Sequence, residues 1–450
     1  MSIKILIVGQ GNLCDHYGGG QVYGRNLIAG LLDSAYNVEY LSLVYSTVSV
    51  SQHHVETTLG VLTRQLILPV SWKDTCAGQY ASAVEALASA YRDIAPDIIH
   101  VHGWKELACL AADKTGIPCV VTAHHGGIVC PAGALLNHRD EICNVAADQK
   151  NCQPCCVCSI PGGKLWLPLL RKTPFVAQMR LGRWLRAHHF LYFITPLGTL
   201  ALSISDKLAA IETLGRYATR LIAPSRAIRD ALVRNGIPSI KVVVVSHGIP
   251  LPQRQPLRPD LRKELVRFLY VGRISHVKGL HVMLEAFSTL PPEGYELHIV
   301  GGAVTKPEQR YLTKLQQRYT SVNAIWHGFR SHEVIPQHIA ECDMMVHPAI
   351  FLEVFGLTIA ESLAVGRPVI ATRCGGAEDQ IRDGENGLLV PPNDAVSLRR
   401  AIKSIIDEPA RLQTMAKQTV DVVTVKKHVQ ELVKVYIQAV DDGVKTGRPS

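Results

Sequence analysis

The sequence predicts an α/β protein made of two parallel-sheet domains. Short apolar runs alternate with helix-length segments along most of the chain, and prolines crowd the middle at Pro250, Pro252, Pro256 and Pro259. Length adds to this: 450 residues at 47% hydrophobic content are too many for one ordinary core and enough for two.

In the first half the runs are Ile3 to Val8, Val38 to Val44, Ile98 to His102, Cys119 to Ala123, Leu221 to Ala223 and Val242 to Val245. Helical patterns separate most of them, as at Gln21 to Leu32 and Ala81 to Ile94. Unbroken apolar runs suit strands buried on both faces, which is the condition inside a parallel sheet. The proline cluster can continue neither a helix nor a central strand, so it marks a linker, with a first domain over 1–255 and a second over 256–425. The alternation resumes at Arg267 to Val271, Glu296 to Val300, Ala324 to Trp326, Met344 to Val346 and Pro368 to Ala371. Residues 426–450 form a tail whose helical spacing, from Val420 to Val440, would let it cross back to the first domain. The stretch from Cys130 to Ser205 breaks the alternation and is expected to be an insertion.

Met1 to Gly9 has no basic region before its apolar run and is expected to be a strand, not a signal peptide. The longest uncharged apolar stretch, Phe190 to Ser205, is cut by Pro196 and Gly198 and falls short of the roughly 20 residues of a spanning helix. A cytoplasmic protein is therefore expected. Net charge is +9, and the segment from Pro161 to Asn235, with twelve basic and three acidic residues, accounts for all of it. Such a block invites an anionic partner, or is simply a solvated basic face. No aromatic platform of a nucleic-acid module is interleaved with it, so a nucleic-acid partner is not expected. Between Lys164 and Phe193 the cations Arg171, Lys172, Arg180, Arg183 and Arg186 alternate with Trp166, Leu167, Leu169, Leu170, Phe175, Trp184, Leu185 and Phe190. That mixture suits either a helix lying on an anionic membrane or an amphipathic helix packed on its own domain.

In open parallel sheets ligands collect at the carboxyl ends of strands, so the residues after each run are the candidates for chemistry. After the first run come Gly9-Gln10-Gly11 and then Gly18-Gly19-Gly20 before a helix. Glycines there let a phosphate or sugar approach backbone N–H groups, although the third glycine of a dinucleotide fingerprint is missing. In the second half Gly272-Arg273 closes a strand and Lys278 opens the next helix, placing two cations near one anionic site. The segment from Glu353 to Ser362 holds Glu353, Phe355, Gly356, Leu357 and Glu361. Gly356 can present the N–H groups of a new helix to a phosphate, and Glu361, among apolar neighbours, needs hydrogen-bond donors that a ribose diol would supply.

Arg273 with Lys278, and the frame Glu353-x7-Glu361 followed by Gly366-Arg367-Pro368-Val369, resemble the donor site of the family 4 retaining glycosyltransferases with the GT-B fold. The run Gly375-Gly376, Asp383-Gly384, Gly387 to Val390 and Pro392 to Asp394 is similar to the family's next segment. The resemblance implies two Rossmann-like domains facing each other across a cleft and a sugar moved from a UDP- or GDP-sugar to an acceptor with retention of configuration. It implies that Arg273 and Lys278 hold the diphosphate, Glu361 the ribose and Glu353 the transferred sugar, with Gly19, Gly20, Gly272, Phe355, Gly356 and Leu357 lining the donor. It places His124, after Val121-Thr122-Ala123, beside the donor sugar. His125 stands where the family usually has Asp, and Ser246-His247-Gly248 replaces its usual Asn-Gly pair.

No Asp-x-Asp clamp is apparent, so transfer is expected to need no cofactor, the cations and the helix terminus offsetting the leaving-group charge. Six cysteines fall within Cys130 to Cys158, and in a chain of this kind reduced thiols are the first expectation. The spacing of Cys143, Cys152, Cys155 and Cys158 also allows a structural zinc. Rival readings are a nucleotide-sugar epimerase of the same architecture and a non-catalytic nucleotide-sugar-binding protein; release of nucleoside diphosphate separates both from a transferase.

Overall fold

The computed structural model describes residues 3–11, 19–45, 53–68, 80–160, 162–187, 198–252, 256–257, 265–419 and 422–445. They form two compact units, one of Met1–His138, Asn144–Ser246 and Val425–Ser450, the other of Arg139–Cys143 and His247–Thr424.

The first unit is built on strands β1 (Lys4–Gln10), β2 (Asn37–Tyr45), β3 (His53–Thr58), β4 (Val61–Leu68), β5 (Ile98–Val101), β6 (Cys119–Thr122), β7 (Arg220–Ala223) and β8 (Val242–Val244). Their order across the sheet is β3-β4-β2-β1-β5-β6-β7-β8, and every pairing is parallel except β3 with β4. The apolar runs expected as strands are strands, and β5 and β6 are buried along their whole length. The β3–β4 hairpin is not among the expected runs, because its strands alternate polar and apolar residues at the sheet edge. Its turn is Leu59-Gly60, both at positive φ, the conformation of a tight hairpin.

The helix Val425–Lys445 belongs to this unit and lies on the helix Gly19–Asp33. The contact is close at Gly30, where a Cβ would overlap the Val425 side chain. Val429, Leu432, Val433 and Tyr436 enter one core with Ile5, Ile7, Leu27, Ile98 and Val120.

The second unit carries β9 (Val266–Val271), β10 (Tyr295–Val300), β11 (Ala324–Gly328), β12 (Met344–His347), β13 (Val369–Thr372) and β14 (Gly387–Val390). All are parallel, in the order β11-β10-β9-β12-β13-β14. Consecutive strands run outward in both directions from β9 and β12, so the point where connection direction reverses lies between those two. In the first unit the corresponding point lies between β1 and β5. A crevice opens at the carboxyl ends of strands at such points.

Candidate active site

At the β9/β12 crevice the chain after β9 runs through Gly272 and Arg273 to a single 3-10 turn, His276–Lys278, and Gly279 then starts the helix Leu280–Ser288. Gly279 has φ +71°, and a Cβ there would overlap the Pro348 carbonyl beyond β12. Only glycine lets the turn sit this close to the neighbouring strand end. Lys278 is thereby brought against Glu353, Nζ donating to Oε2 at 2.6 Å, and over the Phe351 ring at 4.9 Å. His347, the last residue of β12, brings Nε2 to 3.3 Å from the same carboxylate oxygen. Burial by itself would raise the Glu353 carboxyl; the Lys278 charge and then His347 outweigh it and hold the group well below the usual carboxylate range.

Beyond Glu353 the helix Leu357–Val365 begins at Gly356, whose left-handed backbone (φ 84°, ψ 67°) turns the chain sharply. No side chain caps this helix. The Gln380 amide donates to the Phe355 carbonyl, and at 3.2 Å to that of Gly376, pinning the loop from behind. The helix therefore presents an uncapped amino terminus, with its partial positive charge, at the crevice beside Lys278. Phe355 is buried, and Leu357 and Gly272 are partly so.

Arg273 places Nε 3.2 Å from Glu308 Oε1 and remains largely in solvent. Glu308 completes the capping box of the helix Lys306–Arg318 with Thr305. Glu361 is partly buried, with one carboxylate oxygen 2.8 Å from His332 Nε2. Sequence reasoning misses this pair; a histidine 29 positions away carries no local signal of it. It gives no role to Arg367, which is buried at 2% exposure, donates to the carbonyls of Cys342, Ala340 and Pro256, and so closes the end of the helix Ile335–Glu341. Lys278, Glu353, Phe355 and Gly356 thus lie together around one crevice, while Arg273 and Glu361 are each held by a partner of their own.

In the first unit His124 comes after β6, and its Nε2 shares a 2.5 Å hydrogen bond with Nδ1 of His102, which comes after β5. The two rings stack at 4.8 Å. Gly19 and Gly20 are exposed at the start of the helix Gly19–Asp33, and Gly18 lies outside the described residues.

The zinc expectation is corrected. Among the described residues no group of three or more His, Cys, Asp or Glu side chains could hold a metal ion. Cys152, Cys155 and Cys158 lie on one helix, Gln149–Cys158, and Cys143 belongs to the segment grouped with the second unit. Thiols at i, i+3 and i+6 of a straight helix spread over roughly 9 Å of axis, whereas tetrahedral zinc needs them each about 2.3 Å from one point.

The basic insertion divides its apolar residues between two surroundings. Leu167 and Leu170 pack toward Cys156, Val157, Leu200 and Ile204, and Leu185 is buried. Leu165, Trp166, Leu169, Val176, Leu181 and Trp184 are between 47% and 85% exposed. Phe190 and the Arg186 side chain lie outside the described residues.

Comparison with known proteins gives two partial family matches. The family described as "Glycosyltransferase Family 4" matches residues 17–141, and "Glycosyl transferases group 1" matches residues 254–421. The chain is 27% identical over 279 residues to alpha-D-kanosaminyltransferase of Streptomyces kanamyceticus, covering 58% of this chain and 69% of that one. It is 31% identical over 222 residues to D-inositol 3-phosphate glycosyltransferase of Streptomyces avermitilis, covering 44% of this chain and 47% of that protein. The match thus spans just over two thirds of the first relative and about half of the second. Anabaena HepE, solved in complex with UDP-glucose, superposes with a TM-score of 0.64 at 19% identity, covering 97% of this chain and all of that one. The two parallel-sheet units have the GT-B fold they share with HepE, and the two partial family matches together with these relatives mark the chain as a glycosyltransferase.

Proposed function

We propose that this glycosyltransferase cleaves a nucleoside-diphosphate sugar in the crevice of its second unit and passes the sugar on with retained configuration. The observation that carries the reading is the Lys278–Glu353 pair set beside the uncapped helix terminus at Gly356. An ammonium group and a helix amino terminus without a side-chain cap suit a diphosphate, whose charge grows as the sugar leaves. Lys278 and Arg273 hold the diphosphate. Each has a carboxylate partner, Glu353 and Glu308, that it can give up in part when a stronger anion arrives. Glu353, kept ionised, accepts hydrogen bonds from sugar hydroxyls, and Glu361 accepts from the ribose. His124, just beyond β6, is the catalytic histidine that the resemblance implies. HepE is described with UDP-glucose, so UDP is the first nucleotide to test. Calorimetric titration with UDP and GDP, followed by nucleoside-diphosphate release from the matching sugars, tests the reading. Absence of binding by either nucleotide, or Arg273→Ala and Glu361→Ala variants that release product at the wild-type rate, would overturn it.

The acceptor side is read from the insertion. From Gly162 to Ala187 there is no acidic residue, and Lys164, Arg171, Lys172, Arg180 and Arg183 are exposed beside the six exposed apolar side chains. Water is a poor environment for Trp166 and Trp184, and an anionic lipid surface accommodates both the rings and the cations, each cation being worth roughly 1 kcal/mol there. The enzyme therefore works at an anionic membrane face, on an acceptor presented from that surface. Sedimentation with vesicles of phosphatidylglycerol and phosphatidylcholine should show binding that weakens with salt and in an Arg180→Glu/Arg183→Glu variant; no binding at low salt would end the proposal.

A further inference from the structure

Behind His124 the core of the first unit contains polar side chains that the donor chemistry does not use. His100 in β5 is fully buried; its Nδ1 lies 2.7 Å from Tyr436 Oη and its Nε2 2.7 Å from Thr122 Oγ1. Tyr23 Oη lies 2.9 Å from His428 Nε2, and His428 Nδ1 lies 2.7 Å from the Ser246 carbonyl oxygen. Tyr436 and His428 both come from the returning helix Val425–Lys445.

At one end the direction is set by the carbonyl. A carbonyl only accepts, so His428 carries its proton on Nδ1, and burial keeps the ring neutral by lowering its pKa to about 4. Its Nε2 must then accept the Tyr23 proton. His100, a ring that burial also keeps neutral, at about 3, has one proton to give, to Thr122 or to Tyr436. Two runs of hydrogen bonds thus tie the returning helix to the sheet, Tyr436–His100–Thr122 and Tyr23–His428–Ser246.

These bonds border the His102–His124 pair on two sides. The Tyr23 ring lies 4.9 Å from that of His124 and 5.5 Å from that of His102, and the His100 ring lies 4.2 Å from that of His102. Thr122 itself is two residues before His124 on the same segment. We propose that Tyr23, His100, His428 and Tyr436 are positioning residues for His124, through which the returning helix fixes the ring orientation and proton placement of the His102–His124 pair. The proposal rests on the reading of His124 as a catalytic residue of the transfer.

The test uses full-length protein labelled with 15N at histidine, with imidazole spectra recorded from pH 5 to 9. In wild type His428 should show the Nδ1–H tautomer, and both His428 and His100 should be neutral at pH 6. Tyr23→Phe keeps the ring and removes its bond to His428; His428→Leu breaks two bonds. In both, the imidazole 15N shifts of His124 should move, reporting a changed tautomer balance, and His428→Gln, which can donate and accept, should move them less. Where UDP-glucose is turned over, Tyr23→Phe and His428→Leu should lower kcat by about fivefold or more with KM for the donor within about twofold, because the donor site lies in the other unit. His428 in the Nε2–H tautomer, or His124 15N shifts unmoved in both variants, would overturn the proposal. His124→Ala turning over at the wild-type rate would instead refute the reading of His124 and leave the two runs of bonds standing.

Discussion

Acidification should weaken the first unit through two histidines that have no charged role in it. His100 and His428 are buried, and burial lowers their pKa values to about 3 and about 4. In the unfolded chain both return to about 6.5. Between these values the unfolded chain binds protons that the folded one refuses, so stability is complete above pH 6.5 and is lost as the pH falls toward 4. From pH 7 to pH 5 each histidine contributes a loss of about 2 kcal/mol, or about 4 kcal/mol together, a large share of the 5–15 kcal/mol typical of a domain. Hydrogen exchange of amides in the helix Val425–Lys445, corrected for the intrinsic rate and compared between pH 7 and pH 5, reads this directly, because His428 and Tyr436 tie that helix to the sheet. The control is a His100→Gln/His428→Gln variant, less stable at pH 7 but with a flatter pH dependence. If wild type and variant lose protection in parallel between pH 7 and pH 5, the two rings do not carry the effect and the reasoning is wrong.

The donor crevice gives three further expectations. Lys278→Met takes from the buried Glu353 its strongest cationic neighbour and leaves it His347, so UDP affinity should fall about tenfold or more in calorimetry and the second unit should lose about 3 kcal/mol in denaturant melts. Gly279→Ala should destabilise that unit by about 2 kcal/mol or more, since φ is +71° and the methyl group meets the Pro348 carbonyl; a melt within about 0.5 kcal/mol of wild type, the range of a neutral surface change, would contradict the packing described. Glu361→Ala should weaken UDP about tenfold while His332→Ala weakens it less, because the carboxylate is the proposed ribose ligand and the histidine only its neighbour; equal losses would argue that the pair acts as one unit.

Much of the donor crevice is legible in the sequence. Arg273, Lys278 and Gly356 each stand just beyond an apolar run or just before a helix, and in a parallel sheet those positions face one edge whatever the rest of the chain does. The proposed roles of Glu353 and Glu361 come from a resemblance, and the partners that hold those carboxylates have no sequence signal. The cysteines mislead for a related reason: CxxC spacing suggests convergence in a loop, but on the helix Gln149–Cys158 the same spacing carries the thiols along and around the axis. Arg367, quoted in the sequence only as part of a motif, lies buried because three carbonyls receive it.

What the sequence determined by itself was periodicity: which segments are strands buried on both faces, which are helices, and hence which residues stand at strand ends. Those are short-range properties, set by side-chain spacing over one or two turns. The tertiary structure decided which polar groups meet. Lys278 finds Glu353 across 75 positions, His100 finds Tyr436 across 336 and Tyr23 finds His428 across 405. Such pairs leave no local pattern, because each exists only once the sheet has closed and the last helix has returned to it; the requirement that buried polar groups be satisfied then selects their partners.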